Sequence, residues 1–186
     1  MNNEDTHDIA RIQDGDYQRF GQIVDRYKLK VYAVIYRMVH NRADAEDLTQ
    51  EAFIHAFKAI DRFDPNRPFA PWLYRIAINL SINFIKKRDR YPTVSTEEVT
   101  LHSKATRYNP VRQTEQKLLL EEVEKKISQL PDDLKTILIL RVNEEMSYDE
   151  IAQTLGISRG TVMSRLSRAR AKLKELVFGG RDEGRL

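Results

Sequence analysis

The chain has 186 residues, 41% of them hydrophobic and 32% charged, with no cysteine and a formal net charge of +3. That is apolar enough to bury a core, and it excludes a disulfide framework or a thiolate metal site; a cysteine-free chain fits the reducing cytoplasm. No run approaches the ~20 apolar residues of a membrane span, and the opening MNNEDTHDIARIQDGD lacks the basic-then-apolar order of a secretory signal.

From Asp16 onward, Phe20, Ile23, Val24, Tyr27, Val31, Ile35 and Met38 recur at helical spacing. This predicts one long amphipathic helix with Asp16 as its N-cap. His40 to Asp44 reads as a turn, and a second helix follows from about Asp44 to Ile60. Its stretch EDLTQEAF sets Asp47, Gln50 and Glu51 at i, i+3, i+4, on one helical face. Spacing alone leaves that face open as a metal site, a catalytic carboxylate pair, a solvated surface or a docking patch. Pro65, Pro68 and Pro71 forbid a helix through DRFDPNRPFAP, residues 61–71. Pro71 suits the first turn of a third helix, running to about Arg88. Leu73, Ile76, Ala77, Leu80, Phe84 and Ile85 form its apolar stripe. Residues 61–90 carry seven Lys/Arg against three Asp/Glu, whereas residues 41–60 carry two against four.

Residues 91–112 are rich in Ser and Thr, show no sustained period and lie between Pro92 and Pro110. They read as a flexible linker between two helical domains. Beyond it, Leu118, Leu119, Val123, Ile127 and Leu130 form one stripe, and Pro131 opens a helix with Leu134, Ile137, Leu138 and Val142 on its apolar side. Ser147 and Glu150 have the spacing of a capping box. Gly156 ends that short helix, and Ser158 caps a last one to about Val177, with Val162, Leu166, Ala169 and Leu173 inside. A short helix, a Gly turn and a basic helix make a helix-turn-helix. Residues 158–174 carry six Lys/Arg and no acid. The outward candidates are Arg159, Thr161, Met163, Ser164, Arg165, Ser167 and Arg168, which a major groove would meet. Arg170, Lys172 and Lys174 lie further along, toward phosphates or solvent. The predicted fold is therefore all-α: a first domain over 1–90, the linker 91–112, a helix-turn-helix domain over 113–178 and a tail over 179–186 with no readable role.

Two blocks in this order, DAEDLTQEAFIHAFKAIDRFD followed by FAPWLYRIAINLSINFIKKR, and then MSYDEIAQTLGISRGTVMSRLSRARAKL, resemble bacterial sigma factors of the extracytoplasmic-function type. The resemblance covers roughly residues 9–90 and 113–177. It implies a protein that binds core RNA polymerase, with Asp47, Gln50 and Glu51 docking on the clamp helices of the largest subunit. The first domain would read and help open the −10 element, the second would read the −35 element as duplex, and an anti-sigma factor would mask these faces. Phe63, Arg67, Trp72, Arg75, Asn79, Lys86 and Lys87 are the −10 candidates. Asn79 matches the family position of a flipped-base pocket and Phe63 the loop that closes it. The residue types agree, since single-strand capture needs aromatics interleaved with basic groups, and an amide both donates to and accepts from a base edge. Lys86 and Lys87 suit phosphates. One departure stands out: relatives commonly carry Lys or Arg where this chain has Met163. Methionine pairs with neither guanine nor phosphate but suits a thymine methyl.

Two other classes compete. A conventional helix-turn-helix regulator would need a sensor or dimerisation domain, and residues 1–90 show no ligand-pocket signature. A metal-dependent nuclease would gather Asp44, Asp47 and Glu51. No second acidic cluster accompanies them, and the histidines at 7, 40, 55 and 102 are scattered. The expectation is no catalytic residue, no metal, no cofactor and no insertion into a membrane.

Overall fold

The computed structural model describes residues 3–90 and 122–178. The linker predicted at 91–112, the tail at 179–186, Leu118 and Leu119 lie outside them. The described helices are α1 (Asn3–Gln13), α2 (Phe20–Val39), α3 (Arg42–Ala59), α4 (Phe69–Arg90), α5 (residues 122–128), α6 (Asp132–Val142), α7 (Tyr148–Leu155) and α8 (Arg159–Phe178). Single 3-10 turns precede α2 (Tyr17–Arg19) and follow α3 (Ile60–Arg62). No strand occurs among the described residues.

The sequence predicts no helix ahead of Asp16, yet α1 is there, holding Ile9 and Ile12 fully buried. Its other anchor is ionic. Asp5 and Asp8 are buried and meet the Arg26 guanidinium of α2, with Asp8 at 2.8 Å. The Tyr27 hydroxyl donates to Asp5 at 2.5 Å, and Arg19 donates to Asp8 at 3.2 Å. Burial alone would raise the Asp8 carboxyl, but the Arg26 and Arg19 guanidiniums outweigh it and hold it below the usual carboxylate range. At the end of α1, Gln13 Nε2 donates to the carbonyls of Ile60 and Phe63, both at 2.8 Å, fixing the turn after α3.

Helix α2 starts at Phe20 rather than Asp16. Gly15 turns the chain with φ +101°, and the Asp16 side chain makes no cap bond. Its carboxylate instead accepts from Arg19 Nε at 3.0 Å. At the other end, His40 takes the left-handed conformation (φ 55°) and closes α2. The Asn41 side chain then accepts from the Asp44 amide at 3.0 Å and caps α3. The capping residue lies three positions ahead of the predicted start, so α3 begins at Arg42.

Helices α2, α3 and α4 pack on one another through Ile23, Val31, Ile35, Ala45, Ala52, Leu73, Ala77 and Ile78, all essentially inaccessible. Helix α6 is buried almost all round, from Leu134 through Leu140, because it lies between α2 on one side and α8 on the other. Even Lys135 is buried, its Nζ 3.3 Å from Asp132. Val142, predicted on the apolar side of α6, is instead 63% exposed, although Ile139 and Leu140 in the same last turn are buried. The core runs on from α4 into α7, through Ile151 and Met146. At this junction the Tyr74 hydroxyl donates to Glu144. Burial and that carboxylate push the Tyr74 phenol up. The two units predicted from sequence are thus in direct contact.

Candidate functional site

Helix α3 turns Ala45, Leu48, Ala52, Phe53 and Ala56 inward. That rotation leaves Asp47, Gln50 and Glu51 exposed together on the opposite side. Glu51 lies 3.6 Å from His55. Asp44 instead sits in the first turn, partly buried, its amide bonded to the cap. Two apolar groups that the sequence reading missed continue the exposed stripe: Ile54 at 51% and Phe57 at 40%. The Phe57 ring packs edge-on against Phe20 at 5.0 Å and Tyr17 at 5.7 Å, and Tyr17 is itself half exposed. Their signal was available, because Ile54 follows Gln50 by four residues and Phe57 follows Ile54 by three. An acidic rim beside exposed aromatic and aliphatic groups suits a protein partner with a basic surface.

Helix α4 starts in the Pro-rich loop and carries a different surface. Phe63, Phe69 and Trp72 form a ring trio with centroids 4.9–5.5 Å apart. Phe63 and Phe69 are buried, while Trp72 is partly exposed. Phe63 is thereby held beneath Trp72. At 3.6 residues per turn, Trp72, Arg75, Asn79 and Lys86 fall on one stripe, and the last three are exposed. Asn83, also exposed, joins that stripe four residues after Asn79 and was missed because its amide stands inside an apolar run. Lys87 is exposed beside the stripe. Arg67 is exposed at the loop and lies 3.5 Å from Asp64. The Arg75 end of the stripe adjoins the other unit: a Cβ added at Gly156 would come within 3.6 Å of the Arg75 guanidinium.

The helix-turn-helix forms as its residue types require. Ser147 and Glu150 close a reciprocal capping box at the start of α7. Gly156 takes φ +65° at its end, and Ser158 Oγ accepts from the Thr161 amide at 3.1 Å to cap α8. Burial of Val162, Leu166 and Ala169 fixes the rotation of α8. Arg159, Met163, Ser164, Ser167 and Arg168 are exposed, whereas Thr161 and Arg165 are half-buried. Arg159 lies 3.7 Å from Asp149 in α7, and Arg165 lies 3.4 Å from Asp133 in α6. The candidates thus fall on three helices, α3, α4 and α8, rather than in one cavity. Among the described residues, no group of three or more His, Asp or Glu is arranged to hold a metal ion, and no helix is long and apolar enough to cross a membrane.

Comparison with known proteins places this geometry. Residues 23–91 match the family model for Sigma-70 region 2, and residues 120–173 match that for Sigma-70, region 4. The chain is 41% identical over 174 residues to the extracytoplasmic-function RNA polymerase sigma factor SigW of Bacillus subtilis, covering 90% of this chain and 93% of the relative. It is 35% identical over 176 residues to the sigma-E factor of Escherichia coli K12, covering 91% and 92%. Among solved structures, CnrH in complex with the cytosolic domain of CnrY superposes with a TM-score of 0.71 at 28% identity, over 94% of this chain and 97% of that one. The sigma factor RpoE of Bartonella quintana, in complex with the anti-sigma factor NepR, gives 0.69 at 27% identity, over 85% and 96%. With both regions matched in order and curated relatives aligned over nine-tenths of their length, the chain belongs to the extracytoplasmic-function sigma factors of the sigma-70 family.

Proposed function

We propose that the chain binds core RNA polymerase and directs promoter-specific initiation through three separate faces. Asp47, Gln50 and Glu51, with Ile54 and Phe57 beside them, dock on the basic clamp helices of the polymerase's largest subunit. Trp72, Arg75 and Asn79 capture the opened −10 strand, Trp72 by stacking and Asn79 by pairing with a base edge. Phe63 holds Trp72 in place from below. Arg67, Lys86 and Lys87 meet phosphates and give affinity without sequence information. The exposed side of α8, from Arg159 to Arg168, enters the major groove of the −35 element. In this division residues 1–90 form the docking and −10 unit, residues 113–178 the −35 unit, and residues 91–112 the connection.

The observation that carries this reading is the segregation of surfaces. One exposed helical face is acidic and partly apolar, while two others on different helices are basic. A repressor-type helix-turn-helix protein has no use for the first, and a nuclease has no use for the separation. The chain supplies no catalytic group, since RNA synthesis belongs to the polymerase, and it works in the cytoplasm where polymerase and promoter meet. The −10 and −35 elements lie about 25 base pairs apart, ~85 Å at 3.4 Å per pair, so the contact between Tyr74 and Glu144 has to open on the promoter. A partner that fastens the closed units is the natural brake, and an anti-sigma factor like the partner of the Bartonella relative fills that role. Run-off transcription with purified core polymerase tests the proposal. A discrete transcript that requires both the added chain and a cognate promoter is expected, and its absence on every such promoter would contradict the reading.

A further inference from the structure

Met163 is 53% exposed, a large apolar side chain in the N-terminal half of the DNA-reading helix. A lone exposed methionine on an ordinary surface is unremarkable; its surroundings make this one informative. With Val162, Leu166 and Ala169 buried, the middle of the outward stripe falls on Gly160, Ser164 and Ser167, all small and all exposed. These let the helix approach the floor of a groove closely, and Met163 stands on the flank of that stripe, next to Arg159. Two of the longer polar groups nearby have acidic neighbours within the protein, half-buried Arg165 at 3.4 Å from Asp133 and exposed Arg159 at 3.7 Å from Asp149, while Arg168 is exposed further along the helix. Ser164 Oγ donates to the Thr161 carbonyl at 3.1 Å. The long apolar group on this face is therefore a thioether. In the major groove thymine alone presents a methyl group, and a flexible, polarisable methionine adapts well to such a contact.

We propose that Met163 is a specificity-determining residue that selects thymine at one position of the −35 element through the C5 methyl. This rests on the reading of α8 as the −35 helix and names the base that helix prefers. Cytosine and deoxyuridine present no methyl at that position, so each loses the contact, about fourfold in affinity for one buried methyl-sized group. The preference at that position is thus carried by an apolar contact where an arginine would select guanine.

The test uses the reconstituted holoenzyme on duplexes with a fixed −10 element and a randomised −35 window. Every thymine in the enriched sequence is replaced in turn by deoxyuridine, and affinities are compared for wild type, Met163→Ala and Met163→Leu. One position is expected at which deoxyuridine weakens wild type and Met163→Leu about fourfold but leaves Met163→Ala unchanged, with 5-methylcytosine binding better than cytosine there for wild type alone among wild type and Met163→Ala. An enriched sequence indifferent to every thymine methyl overturns this inference alone, as does a deoxyuridine penalty that persists in Met163→Ala. A window that enriches no sequence overturns it together with the −35 reading of α8.

Discussion

The buried pair Asp5 and Asp8 is tolerable because Arg26 and Arg19 meet it. Two carboxylates away from water cost several kcal/mol unless paired, and removing Arg26 leaves Asp5 with no cation, only the Tyr27 hydroxyl as donor, and Asp8 with Arg19 as its one guanidinium. Arg26→Ala is therefore expected to lower stability by about 3–5 kcal/mol at neutral pH, measured by urea unfolding. The pH dependence has a definite sign. The folded Asp8 carboxyl lies below its unfolded value of 3.8, so its contribution is fully present above pH 3.8 and fades as pH falls through the lower folded value. Asp8→Asn should accordingly be less stable than wild type at pH 7, with the difference shrinking below pH 3.8; a difference independent of pH would show that Asp8 contributes no ionic stabilisation. None of this was legible in the sequence. The acids of α1 sit in a polar stretch whose apolar signal is little more than Ile9 and Ile12, and the partners that bury them come from α2. Asp47, Gln50 and Glu51 were legible because helical spacing alone sets them side by side. Ile54 and Phe57 were harder to see, because an apolar residue in an amphipathic helix is normally assigned to the core.

At the scale of elements, the helix-turn-helix was readable almost residue by residue. Local chemistry specifies each boundary: a capping box at Ser147, a left-handed Gly156 and a hydroxyl cap at Ser158. Helix α2 shows the limit of such reading, since Asp16 looks like a cap but an arginine three residues on takes its carboxylate. Helix α6 shows another, because a helix enclosed on several sides buries Lys135 and Thr136 along with its leucines, and periodicity then no longer marks one face. Gly156 gives this scale its prediction. A Cβ there meets the Arg75 guanidinium only at ordinary contact distance, 3.6 Å, so the cost of Gly156→Ala is the left-handed backbone at φ +65°. That is about 1 kcal/mol, or ~2–4 °C in Tm for a chain of this size. Gly156→Asn should lose less, as asparagine tolerates that region better. Equal melting temperatures for the alanine variant and wild type would mean the turn relaxes out of the left-handed conformation at no cost.

For the whole molecule, the sequence separated two units correctly as blocks of pattern but carried no sign of how they meet. The contact is made by α2 against α6 and by Tyr74, Met146 and Ile151, groups that also look like ordinary core residues of their own units. Its consequence is that the helix-turn-helix turn sits beside Arg75, at one end of the α4 stripe, leaving the α3 face free of that junction. The central claim is that this acidic, partly apolar face meets polymerase while the basic faces meet DNA. It is tested most directly by the full-length double variant Asp47→Arg/Glu51→Arg, compared with wild type for affinity to purified core polymerase. Both side chains are exposed, so the fold and the binding of a −35 duplex should be unchanged. Reversing two charges against a basic partner is expected to cost at least ~100-fold in core affinity. Core binding retained at wild-type strength would contradict the account and return this face of α3 to plain solvent.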